Sequence, residues 1–260
     1  MLKKLLVVAT LLAAGNAHAA LTSAGDIAFT AFNADEDGLS FVSFVDISAN
    51  STVYFADNEW NGSAIGSGGA FNTGEIYMQW VSGPSLISAG SVIRFSAFDK
   101  VTASASQGQL SRATVTGSSN PGISNSNETI YAYLGGSAAA PTTFLAAITN
   151  GTFTADGSLG GTGLIEGVSA IRLNAKPGAS TEPDFAEYTG ARSGLVSFSD
   201  YKSLVSNVNN WNVDTVNNST SAALVPNTTA FTIAAVPEPE TYAMFLAGLS
   251  FLGFASRRKN

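Results

Sequence analysis

The sequence predicts an all-β fold: a β-sandwich carrying one short helix, with an apolar segment at either end of the chain. Three observations predict it. Charged residues make up 12% of the 260 positions, about half the roughly 25% of an average soluble domain. Glycine occupies 26 positions, above the roughly 7% norm, as expected of a turn-rich chain. Short runs of β-branched and aromatic residues recur between turns of Gly, Asn and Ser, the spacing of a sandwich. The length suits a single domain with a sizeable core.

Taken in order, Asp26 to Phe32 and Leu39 to Ile47 read as strands, and the polar turn Asn33 to Gly38 joins them as a hairpin. Thr52 to Ala56, Ile76 to Val81 and Ser91 to Phe98 follow. In the last of these, Ile93, Phe95 and Ala97 alternate with Arg94 and Ser96, the period of two that marks a half-buried strand. Thr129 to Leu134, Val168 to Leu173 and Thr229 to Ile233 complete the predicted strands. Ser199 to Asn209 is the predicted helix. Ser199 or Asp200 caps it, and Tyr201, Leu204, Val205 and Val208 form its apolar stripe. Gly/Ser/Ala-rich stretches at Ser104 to Asn127 and Gly157 to Gly163 read as long loops, Asn217 to Thr228 as a polar loop, and Ala234 to Thr241 as a tether.

The two ends are addresses. Residues 1–19 have the three parts of a secretory signal peptide: Lys3 and Lys4, the apolar run Leu5 to Ala14, and the small residues Ala17 and Ala19 at the cleavage site. The competing reading is a buried N-terminal helix. At the other end Pro237-Glu238-Pro239 is held extended by its prolines. An uncharged run from Tyr242 to Ala255 follows, extended by Ser256 to a predicted hydrophobic helix over 242–256, and a basic tail of Arg257, Arg258 and Lys259 closes the chain. The run of 14 residues is shorter than the roughly 20 that span a bilayer unaided. A basic stop nevertheless favours a marginal membrane helix, against the alternative of a helix packed on the domain.

Pro237-Glu238-Pro239, Thr241, Gly248-Leu249, Leu252-Gly253 and the Arg257-Arg258-Lys259 cluster together resemble the PEP-CTERM sorting signal of bacterial exported proteins. The resemblance divides the chain into a signal peptide (1–19), a body (20–235) and a sorting signal (236–260). It implies a signal peptidase and an exosortase as processing partners. It also implies transient inner-membrane anchoring by the C-terminal helix, cleavage near the Pro-Glu-Pro, and release to the cell surface or an exopolysaccharide or biofilm matrix. A second resemblance covers about 25–80. The run from Gly25 to Trp60, followed by Gly69 to Glu75, is similar to the start of lamin-tail-like β-sandwich domains, which implies an immunoglobulin-like sandwich and no particular activity.

Composition then removes whole classes of chemistry. There is no cysteine, and the one histidine, His18, lies in the leader. A mature chain without Cys or His cannot build a Ser-His-Asp or Cys-His catalytic centre or the common zinc sites. Residues 20–236 hold 7 basic and 17 acidic residues, a net charge of −10, which excludes a nucleic-acid partner. Glycoside hydrolysis by two carboxylates needs neither Cys nor His, and Asp57 with Glu59, or Asp184 with Glu187, are its candidate acids.

Two binding candidates remain, and no catalytic residue is assigned. Asn33, Asp35 and Asp37, closed by Gly38, alternate like the first ligands of a calcium loop. The twelfth position is Phe44 where a bidentate Glu belongs, and an acidic hairpin turn explains the same residues. Calcium is the one cofactor these residues suggest. Among the aromatics Trp60, Trp80 and Trp211, Trp60 sits between Asn58, Glu59 and Asn61 and is the candidate for stacking on a sugar ring, with core packing as the alternative.

The expected protein is thus non-enzymatic: an exosortase-sorted surface or extracellular-matrix protein with a structural or adhesive role associated with exopolysaccharide. The alternatives are a secreted carbohydrate-active hydrolase and a stably membrane-anchored surface protein. Two carboxyl groups roughly 5–10 Å apart in one cleft favour the hydrolase; a cleft-free sandwich favours the structural role.

Overall fold

The computed structural model describes residues 20–98, 100, 102–117, 122–216 and 223–235, with Met244, Ala247 and Leu249. The predicted leader, and the predicted sorting segment with its basic tail apart from Met244, Ala247 and Leu249 of its predicted helix, lie outside the described residues. Among the described residues no helix is long and apolar enough to cross a membrane.

In chain order the strands are β1 (Ile27–Asn33), β2 (Gly38–Ser43), β3 (Thr52–Ala56), β4 (Tyr77–Val81), β5 (Val92–Ser96), β6 (Ser104–Ala105), β7 (Gln109–Ala113), β8 (Thr129–Ser137), β9 (Ala140–Thr149), β10 (Ala170–Arg172), β11 (Phe185–Tyr188) and β12 (Trp211–Val213). They form two six-stranded sheets, ordered β12-β11-β1-β2-β5-β6 and β10-β9-β8-β3-β4-β7. Pairing of these strands is antiparallel except between β9 and β10. The inner faces meet through large apolar side chains. Phe41 of β2 lies 5.6 Å from Phe55 of β3 and 5.5 Å from Trp80 of β4, and Phe95 of β5 lies 4.9 Å from Phe55. Each such buried ring contributes about 1.5–3 kcal/mol through the water it sheds.

The second sheet is covered on its outer face too. Tyr77, Tyr131, Tyr133 and Phe144 point away from the inter-sheet core and are buried under Trp60, Phe71, Phe153 and Leu164 from the intervening loops. This explains why β9, with the sequence Ala-Pro-Thr-Thr-Phe-Leu-Ala-Ala-Ile-Thr, escapes prediction. Phe144 to Thr149 are buried on both faces, so no alternation marks them, and alanine is a poor strand former on intrinsic grounds. One extra residue in β9, where Ala132 pairs with Ala146 but Tyr133 with Phe144, makes a bulge.

The predicted hairpin forms, with Asn33 opposite Gly38. Inside it, Glu36 N–H donates to Asn33 Oδ1 at 3.2 Å and Asp37 adopts φ 55°, a left-handed geometry that Asp tolerates. β5 alternates as expected, with Ile93 and Phe95 buried and Arg94 and Ser96 half-buried, but the left-handed φ of 52° at Ala97 ends it early. Other expectations need correction. The strand predicted over Leu39 to Ile47 ends at Ser43: Phe44 N–H still bonds Asp26 O in the register of β1 and β2, but Ile47 pairs instead with Ile87. The predicted loop Ser104 to Asn127 contains β6 and β7. Thr229 to Ile233 is no strand and keeps only the isolated bridge of Ile233 to Leu195. The predicted helix is broken into a 3-10 turn (Phe198–Asp200), α1 (Tyr201–Val205) and a second 3-10 turn (Val208–Asn210). Its stripe faces the core as expected, with Tyr201 and Val205 fully buried. The N-terminal lock starts two residues before the earlier of the two predicted caps: Ser197 is the cap residue, and Asp200 Oδ2 accepts from its N–H at 3.0 Å.

Candidate functional site

Strand register brings acidic residues together at one end of the sandwich. Ala56 pairs with both Tyr77 and Tyr131, so the residues just beyond β3 lie beside those just before β4 and β8. Asp57 Oδ1 accepts from Ile76 N–H at 2.8 Å. Its neighbour Asn58, fully buried, donates to Ile76 O at 3.1 Å and accepts from Glu75 N–H at 3.2 Å. Glu128, at the head of β8, accepts at Oε2 from Ser124 N–H at 2.8 Å. Glu75, Ser124 and Glu128, with Asp35, Asp37 and Asn125, line an open cleft of about 350 Å³ whose wall holds no lysine or arginine among the described residues, while Asp57 and Asn58 are buried and do not line it.

The electrostatics follow from burial without a counter-charge. Asp57 and Glu128 are each 2% exposed, and Asp57 Oδ2 has no hydrogen-bond partner among the described residues. Burial first, and the neighbouring Glu75 second, push the Asp57 carboxyl up to about 8. Burial, with Glu59 adding to it, raises Glu75 to about 7. Glu128 is raised well above the ordinary carboxylate range by burial and then by Asp57. Tyr77, buried beside Asp57, rises to about 12. Asp57 and Glu75 are thereby brought to titrate around neutral pH, so this end of the molecule can bind and release protons.

Of the acids singled out in the sequence, Asp57 and Glu59 act electrostatically on Glu128, and Glu59 also on Glu75, without lining the cleft, and Asp184 and Glu187 do not line it either. Asp184 is buried at the head of β11, its backbone carbonyl accepting from Ala34 N–H at 2.8 Å. Glu187 accepts from Asn227 N–H. Glu75 and Glu128 do not stand out in the sequence because each sits in a polar turn, and only the pairing of β3 with β4 and β8 reveals their proximity.

The calcium candidates Asn33, Asp35 and Asp37 are arranged as a turn. Asn33 Oδ1 caps Glu36 N–H, its Nδ2 donates to Leu224 O at 3.3 Å, and Asp37 Oδ1 accepts from Ile123 N–H. Among the described residues no three Asp, Glu or His side chains gather so as to hold a metal ion. Trp60, in place of an exposed platform, is a buried core residue at 2% exposure. Its Nε1 donates to Ser63 O at 3.1 Å and Gly160 O at 3.0 Å, and Phe71 and Phe144 meet it edge-on at 5.2 and 5.0 Å. Trp80 and Trp211 are buried likewise, their indole N–H groups donating to Gln107 O and Val205 O, both at 2.8 Å.

No curated protein and no solved structure matches this chain. Its C-terminus does match a known motif, starting one residue before the boundary expected from the sequence. Residues 235–259 carry the PEP-CTERM protein-sorting motif, which marks the chain as an exported protein, processed by an exosortase and destined for the cell surface or beyond.

Proposed function

We propose that this protein is a non-enzymatic structural or adhesive component of the cell surface or extracellular matrix, associated with exopolysaccharide and delivered there after transient anchoring in the inner membrane. The observation that carries this reading is the sorting motif at 235–259, joined to a body of two packed sheets. The body's buried carboxyls support it. Glu128 is committed to the backbone N–H of Ser124 and the half-buried Asp37 to that of Ile123, and Asp57 is closed off from solvent. The similarity of residues 25–80, which form β1 to β4, to lamin-tail-like domains is consistent with a secreted sandwich of this kind. The test is a sedimentation assay of the purified body with the exopolysaccharide of the producing cells, alongside matrix integrity in a deletion strain. Co-sedimentation and a weakened matrix are expected; a body that stays in the supernatant with an intact matrix overturns the reading.

The acidic cleft favours one second reading, a carbohydrate-active hydrolase. Glu75, raised to about 7, has the protonation behaviour of a general acid, and further carboxyls line the same cleft. Release of reducing sugar from exopolysaccharide, abolished by Glu75→Gln, would establish it in place of the structural role.

A further inference from the structure

The chain does not leave the body where its last strand ends. Residues 229–234 return to it and are fixed along their length. Phe231, 2% exposed, stacks on Tyr188 with centroids 5.8 Å apart and planes at 22°. Tyr201 meets it edge-on at 5.1 Å and Phe44 at 6.2 Å, and the Arg192 guanidinium lies 5.0 Å from its ring centre.

The backbone is tied as firmly as the ring. Phe231 N–H donates to Gly90 O at 2.8 Å, Thr232 N–H to Arg192 O at 2.8 Å and Ala234 N–H to Leu195 O at 2.7 Å. Arg192 Nη1 donates to Thr229 O at 2.9 Å. The Tyr201 hydroxyl donates to Thr232 O at 2.7 Å and accepts from Leu195 N–H at 3.1 Å. Gly90 is shaped for this passage. Its φ is +87°, and a Cβ there would lie 2.2 Å from Phe231 O and 2.5 Å from the Phe198 ring.

The sorting motif begins at residue 235, immediately after the last of these bonds. We infer that this clasp governs access of the sorting enzyme to the chain at the head of its motif. An enzyme that takes a peptide into a cleft binds it extended over several residues, using the same backbone groups that a strand uses. While Phe231 is seated, the N–H groups of Phe231, Thr232 and Ala234 are already engaged by the body. Release of the ring frees residues 229–234 together, so the rate of processing follows the fraction of molecules in which the clasp is open.

The test follows processing of the full-length protein in the producing cells, by pulse labelling and mass spectrometry of the C-terminus. Phe231→Ala, which removes the anchor, is expected to speed processing several-fold. Gly90→Ala, which pushes on the segment from the body side, is expected to do the same. Leu195→Cys combined with Ile233→Cys joins two residues that pair directly, a separation that a disulfide spans. The oxidised pair is expected to slow processing several-fold, and reductant to restore it. The double variant keeps the test decisive where a single variant fails to fold. Unchanged rates in folded variants, or undiminished processing of the cross-linked form, overturn the inference.

Discussion

Asp57 and Glu128 lie at the same buried end of the sandwich, each 2% exposed, with the Asp57 carboxyl among the charges that raise Glu128. The register of β3 with β8 puts them there. Among the described residues neither is met by a cation: the charged groups that act on Asp57 are Glu75 and Glu59. A carboxyl whose folded pKa is raised binds a proton that the unfolded chain has already released. Stability from that group is therefore greatest below its unfolded pKa near 4 and falls until pH passes its folded value.

For Asp57 that window runs from its ordinary value of 3.8 to about 8. Asp57→Asn keeps an acceptor for Ile76 N–H and removes the titration. Thermal melts are expected to give similar stability for the two proteins near pH 4 and an advantage for the variant at pH 8. That advantage should exceed about 1 kcal/mol, since a tenfold change in proton affinity corresponds to about 1.4 kcal/mol. Parallel pH profiles for wild type and variant would count against the buried, uncompensated carboxyl.

Asn58 staples the base of the cleft through Ile76 O and Glu75 N–H. Asn58→Ala leaves both groups unsatisfied in a buried place and is expected to cost about 2–4 kcal/mol in urea unfolding. A loss below about 0.5 kcal/mol, less than one ordinary hydrogen bond contributes, would mean that the staple is dispensable.

Trp60→Ala opens a large cavity between the second sheet and its covering loops. The expected loss is about 3–5 kcal/mol of stability, with retention of whatever polysaccharide the folded body binds. Full stability combined with lost polysaccharide binding would return Trp60 to the stacking role that its buried ring argues against.

The turn residues Asn33 and Asp37 are occupied by backbone partners, so calcium is expected to leave the melting temperature and the calorimetric baseline of the body unchanged. A calcium-dependent rise in melting temperature that Asp35→Asn removes would show that the turn opens to take a cation.

Much of the fold was legible where burial is one-sided or sequence-local. The β1–β2 hairpin announces itself through its Asn-to-Gly turn, and β5 through the alternation of Ile93 and Phe95 with Arg94 and Ser96. β9 was not legible, because a strand covered on both faces loses its period and this one is rich in alanine. β11 and β12 are short and acquire meaning only when β11 joins β1 from far along the chain and β12 adds to β11. The candidate site was half legible for the same reason. Asp57 and Glu59 stand out after a clear strand, but Glu75 and Glu128 join them only through pairings that no local pattern encodes. Trp60 was misleading in the opposite sense, since its polar neighbours Asn58 and Asn61 belong to the loop that buries it.

The order in which the first sheet closes bears on how such a chain crosses a membrane. Ala31 of β1 pairs with Glu187 of β11, and Glu187 in turn with Asn212 of β12. The first strand to emerge on the far side therefore waits for nearly the last before its ladder is complete. Contacts this distant in sequence form slowly, and no cysteine is present to lock an early intermediate. Until β12 has crossed, the first sheet cannot close, and the stability that its completed ladder adds arrives only once the body is outside.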